Sequence, residues 1–67
     1  MPHIAVHMYA GRNAEIKQRL AAKLQAALME ELGVDKSVVS VSITDVAKEQ
    51  WPDFIKTVPQ NDFYIKT

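Results

Sequence analysis

The chain has 67 residues, eight basic and eight acidic side chains, no cysteine, and an apolar content of 48%. A disulfide scaffold and a thiolate metal site are thereby excluded, and charges of both signs interspersed along the chain argue against nucleic-acid binding, which needs a basic stripe. Chains this short seldom stabilise themselves around one core without staples or partners, so the high apolar content predicts a single domain, residues 1–67, that hides apolar surface in a homo-oligomer.

Membrane partners are not expected: no apolar run approaches a span and no charged-then-apolar leader opens the chain. The reading is of a soluble, cytoplasmic protein. The first element is a strand, His3-Ile4-Ala5-Val6-His7-Met8-Tyr9, rich in residues that suit a pleated surface. Alternation puts Pro2, Ile4, Val6 and Met8 on one face and His3, Ala5, His7 and Tyr9 on the other. Ala10-Gly11-Arg12-Asn13 makes a turn, with Asn13 placed to cap a helix and Glu15 in its first turn, where the dipole favours an anion. From Ala14 to Leu32, apolar residues Ile16, Leu20, Leu24, Ala27, Leu28 and Leu32 recur at helical spacing, and Gly33 supplies a left-handed stop.

A polar turn, Asp35-Lys36-Ser37, leads to a second strand over 38–44, where Val39, Val41 and Ile43 alternate with Ser40, Ser42 and Thr44. Strand, helix and strand form a βαβ unit with parallel strands and a right-handed crossover. Two strands under one helix leave a sheet face and both edges open, which again calls for partner subunits. Beyond Asp45 the pattern is weaker. Residues 47–51 read as a short helical turn before Pro52, and Phe63-Tyr64-Ile65 as a short terminal strand or an arm against a neighbour.

Pro2 is the residue with chemistry to offer. Removal of Met1 leaves it a free secondary amine, and an α-amine titrates near neutrality, where it can carry a proton to and from a substrate. Set against this, many chains begin Met-Pro, and proline is tolerated at the head of a strand. Arg12 has the planar fork that binds a carboxylate, although arginines in such turns are usually solvated. Trp51, as an isolated tryptophan, is more often core or interface than pocket wall. His3 and His7 lie about 13 Å apart along one strand, too far to share a metal ion, so no metal is expected. No serine stands in a nucleophile elbow.

Taken together, Met1-Pro2-His3-Ile4, Gly11-Arg12 after the first strand, a long helix ending at Leu32-Gly33, the Val39–Thr44 strand and Trp51 resemble the tautomerase superfamily. The likeness is to its short members, typified by 4-oxalocrotonate tautomerase, and runs without gaps from Pro2 to about Trp51. It implies a βαβ protomer completed by oligomerisation and a keto–enol tautomerase that needs no cofactor. In that family the terminal proline is the general base: it removes a proton at one position of an unsaturated 2-hydroxy or 2-oxo acid and returns it at another. An arginine at the position of Arg12 holds a substrate carboxylate, a second arginine in the second strand holds the oxygen-bearing end, and an aromatic residue at the position of Trp51 lines the pocket. The apolar wall helps to keep the amine neutral, because desolvation disfavours the ammonium.

Two departures matter. Ser40 occupies the position of the second arginine, which turns the expectation from a dicarboxylate to a monocarboxylate held by Arg12, as in the subgroup that acts on phenylenolpyruvate. No glycine follows Gly33, whereas short members end in a glycine-rich hairpin that helps to assemble a hexamer, so a dimer and a trimer of dimers are both open. Two other readings stand beside the tautomerase. One is a proline-dependent dehalogenase, hydratase or decarboxylase; the other is a non-catalytic oligomerisation or binding module of the same fold. Geometry adds a constraint: seven strand steps separate Pro2 from Tyr9 by about 23 Å. Parallel strands put Ser40 at the Pro2 end and Trp51 at the Arg12 end. The expected site is therefore shared, with Pro2 and Ser40 from one subunit and Arg12 and Trp51 from a neighbour related by a two-fold axis.

Overall fold

The computed structural model describes the whole chain, Met1–Thr67. Its elements are β1 (His3–Tyr9), α1 (Ala14–Leu32), β2 (Ser40–Val46) and α2 (Trp51–Lys56), with short 3-10 turns at Lys36–Val38, Lys48–Gln50 and Gln60–Asp62. The strands pair in parallel, in a register that runs from His3 opposite Ser40 to Tyr9 opposite Val46.

α1 begins and ends where its caps dictate. Asn13 Oδ1 accepts the Ile16 amide at 2.9 Å, and Gly33, at φ 66°, donates its amide to Met29 O at 2.8 Å. Only glycine adopts that left-handed conformation without a Cβ penalty. An Asn13→Ala substitution removes the one side-chain partner of the first turn. It should lower unfolding free energy by about 1 kcal/mol, read as a reduced denaturant midpoint at fixed protein concentration.

α1 lies chiefly over β2 and runs antiparallel to it. Lys17 Nζ pairs with Asp45 Oδ1 at 2.8 Å near the end of β2. Gln25 Nε2 donates to Val39 O at 3.1 Å and Lys36 O at 3.3 Å near its start. These two polar ties turn the helix about its axis relative to the expected stripe. Lys17, Ala21 and Gln25 join Leu20, Leu24 and Leu28 on the half-buried face, while Ile16, Ala27 and Leu32 are left exposed.

β2 starts two residues later than the alternation predicts. Asp35 Oδ2 accepts from the Ser37 amide at 3.0 Å and the Ser37 hydroxyl at 2.5 Å, which curls 36–38 into a 3-10 turn and takes Val38 out of the strand. The same contacts, the hydroxyl bond foremost, hold the Asp35 carboxyl below the usual carboxylate range. The short helical turn expected over 47–51 also runs on past Pro52: the chain passes from 48–50 into α2, with Pro52 inside its first turn. No intrahelical acceptor awaits an N–H there, so proline is accommodated rather than terminating. No terminal strand forms. Phe63-Tyr64-Ile65 follows a 3-10 turn as an irregular arm, with Tyr64 95% and Ile65 88% exposed.

α2 crosses the sheet face opposite α1. Phe54 stacks on His7, ring centroids 4.4 Å apart. Trp51 meets Tyr9 edge-on at 5.2 Å and Phe54 at 5.4 Å. Even so, the protomer has almost no interior of its own. Val39 is its one buried residue, at 7% exposure, and Leu32 is 61% exposed. The accessible surface of 5519 Å² exceeds the roughly 4,200 Å² typical of a compact 7.5 kDa monomer. The radius of gyration, 13.4 Å, likewise exceeds the roughly 11 Å expected for this length. With extents of 37 × 32 × 18 Å, the protomer is a slab. No helix is long and apolar enough to cross a membrane.

Candidate active site

Pro2 stands at the head of β1, half-buried, its carbonyl accepting the Ser40 amide at 3.3 Å. Ser40 therefore sits beside Pro2, as parallel pairing requires. On the outer face of the sheet the His3 ring reaches across to β2, with Nδ1 2.7 Å from Ser40 Oγ and Nε2 3.0 Å from Ser42 Oγ. Sequence reasoning missed this trio. Alternation assigns His3 to one face of β1 and both serines to one face of β2, but only the register makes them neighbours.

Arg12 lies past the far end of β1, exposed, with Nη1 donating to Tyr9 O at 3.4 Å. That bond lays the guanidinium over the last residue of the strand and leaves its remaining donors unengaged by the protein. Trp51 joins the same end through its edge-on contact with Tyr9. His7 and Phe54 extend the aromatic wall inward along the sheet. Phe54 carries a legible sign, three residues after Trp51 and hence on the same helix face.

The four sequence candidates thus fall into two pairs at opposite ends of the sheet: Pro2 with Ser40, and Arg12 with Trp51. From His3 to Tyr9 the strand alone covers about 20 Å, so one protomer does not bring both pairs onto one small molecule. Of the four, only Trp51 borders either concave feature of the protomer. One, about 410 Å³, runs between α2 and the arm, bounded by Trp51, Ile55, Phe63 and Ile65. A smaller one, about 200 Å³, follows α1 beside Val41.

A parallel βαβ unit headed by Pro2, with an arginine and an aromatic wall at the other end of its sheet, defines a class of small α/β protomers. A family profile described as "Tautomerase enzyme" matches residues 1–52. A protein of Xylella fastidiosa (strain 9a5c) named "Probable tautomerase" is 47% identical over 51 residues, covering 76% of this chain and 62% of that protein. A "2-hydroxymuconate tautomerase" of Comamonas testosteroni is 39% identical over 51 residues, covering 76% of this chain and 81% of that protein. Among solved structures, one described under the 4-oxalocrotonate tautomerase isozymes of Methylibium petroleiphilum superposes with a TM-score of 0.71 at 38% identity. The overlap covers 75% of this chain and 81% of that one. The chain belongs to the tautomerase family, among its 4-oxalocrotonate tautomerase-like members. It spans less than two thirds of the length of the Xylella relative, and the family match ends within the first turn of α2, before Phe54 and the arm.

Proposed function

We propose that this chain is a cofactor-independent keto–enol tautomerase acting on a small 2-oxo acid or its enol. The observation that carries the reading is that the family match, residues 1–52, spans Pro2, Arg12, Ser40 and Trp51 together. Pro2, freed of Met1, serves as the base: its secondary amine takes the proton released from the enol hydroxyl and delivers one to carbon, with no net change in the enzyme. Arg12 holds the carboxylate through its paired donors, and Trp51 walls the pocket and keeps water from the amine. Because the ends of the sheet are so far apart, the working form is a homo-oligomer in which Pro2 of one subunit faces Arg12 and Trp51 of another. Assembly also covers the apolar surface the slab leaves open. Ser40 in place of a second strongly basic group supports a monocarboxylate rather than a dicarboxylate.

The test is ultraviolet-monitored ketonisation of phenylenolpyruvate by protein whose mass shows that Met1 is absent. Acceleration over the buffer-catalysed rate is the expected result. No acceleration with this enol, or with a panel of related 2-hydroxy-2-enoates, overturns the proposal in favour of a binding module.

A further inference from the structure

The His3–Ser40–Ser42 trio has no part in the proton transfer just described, and its hydrogen count says what it is suited to do. A neutral imidazole has one N–H and one acceptor nitrogen, and each serine hydroxyl has one hydrogen. Bridging both serines uses two of the three hydrogens available. The serine that accepts from the ring therefore keeps its own O–H free to point outward. That outward O–H, at the rim of a fixed network, is a donor for a carboxylate or enolate oxygen.

The placement is equally specific. His3 follows Pro2 directly, and the Pro2 nitrogen is a backbone atom at the strand head, within about 5 Å of His3 Cα. Ser40 is tied to Pro2 through its amide. All three side chains are exposed, at the end of the sheet face that α2 does not cover. The other histidine of β1, His7, lies under Phe54 and makes no such bridge.

We infer that His3, Ser40 and Ser42 form one anionic-oxygen site beside Pro2, which holds the oxygen-bearing end of the 2-oxo acid. This rests on the tautomerase reading for its ligand, and adds His3 and Ser42 as specificity-determining residues that work through the network rather than singly.

Benzoylformate tests it without catalysis, because this 2-oxo acid has no hydrogen to shift and cannot enolise. Titrated into processed protein with ¹⁵N-labelled histidine, it should move the His3 ring nitrogens while leaving those of His7 nearly still. In His3→Leu its Kd should rise about tenfold, the loss expected when a charged ligand is deprived of a hydrogen-bonded anchor. Phenylenolpyruvate kcat/KM should fall by at least as much. The Ser40→Ala/Ser42→Ala double change should weaken binding about as far, and the triple variant no more than twofold further, since the three act as a unit. A purely structural cross-strand tie predicts lower thermal stability with Kd unchanged, and that result overturns the inference. So do benzoylformate binding that leaves the His3 nitrogens unmoved, and no binding at all. The two readings separate cleanly. His3 shifts in a protein that fails to ketonise any enol would sustain the oxygen site and sink the tautomerase. Ketonisation with an unperturbed His3 would do the reverse.

Discussion

Protein that retains Met1 ahead of Pro2 should ketonise phenylenolpyruvate at least about a thousandfold more slowly than the processed chain, in line with the 10²–10⁴ that a positioned general base contributes. The reason lies in one nitrogen. In Met1-Pro2 the lone pair is delocalised into the peptide bond, and the proline amide has no N–H either, so the group can neither take nor give a proton. Once freed, the same atom is a secondary amine that titrates near neutrality. Nothing in the protomer shields the bond to be cut: Met1 is 99% exposed, whereas Pro2 is half-buried and anchored through its carbonyl to Ser40. Processing should thus change the chemistry at Pro2 without disturbing β1. Pro2→Ala provides the graded control. It keeps an amine at the same place but loses the ring, and should cost less than the retained methionine. Rates for the three proteins, each with its N-terminus confirmed by mass, decide the point. Equal rates with and without Met1 would remove Pro2 from the mechanism.

How far such reasoning reaches from the sequence depends on whether a feature is encoded locally. β1 and α1 are legible to their end residues because their signals are adjacent: Pro2 ahead of an alternating run, Asn13 at one helix end, Gly33 at the other. The start of β2 is not, since Val38 and Val39 both suit a strand and only the 3-10 turn held by the Asp35–Ser37 bonds leaves both ahead of it. Pro52 reads as a stop, yet becomes part of α2 because its position in the helix, rather than its presence, sets its effect. The face that α1 buries turns on Lys17 and Gln25, polar residues that hydropathy assigns to solvent and the sheet recruits. Parallel topology suffices to assign Ser40 to the Pro2 end and Trp51 to the Arg12 end. The His3 bridge needs the register as well, and register is set by packing between residues 37 and 39 positions apart in the chain.

The same topology yields the sharpest prediction about Arg12. Arg12→Ala should lower kcat/KM for a 2-oxo monocarboxylate about a hundredfold, the upper range for losing a charge-assisted pair of hydrogen bonds. Its folding should be little changed, since the side chain is exposed and its one intramolecular bond is a long 3.4 Å contact to Tyr9 O. The arrangement of the site follows from mixing this variant with one defective at Pro2. If each site takes Pro2 from one subunit and Arg12 from another, random exchange in equal amounts makes half the sites intact at Pro2 and, independently, half intact at Arg12. About a quarter of wild-type activity returns, whether the assembly is a dimer or a trimer of dimers. If both residues of a site came from one subunit, every site would keep one defect and nothing would return. Exchange is verified by native mass spectrometry of subunits labelled differently. With exchange proven, recovery near one quarter establishes the shared site, and no recovery means that the protomer must bend its two ends together across a sheet about 20 Å long. α2, stacked on His7 and edge-on to Tyr9, braces the sheet against that bending, which is why restored activity is the expected result.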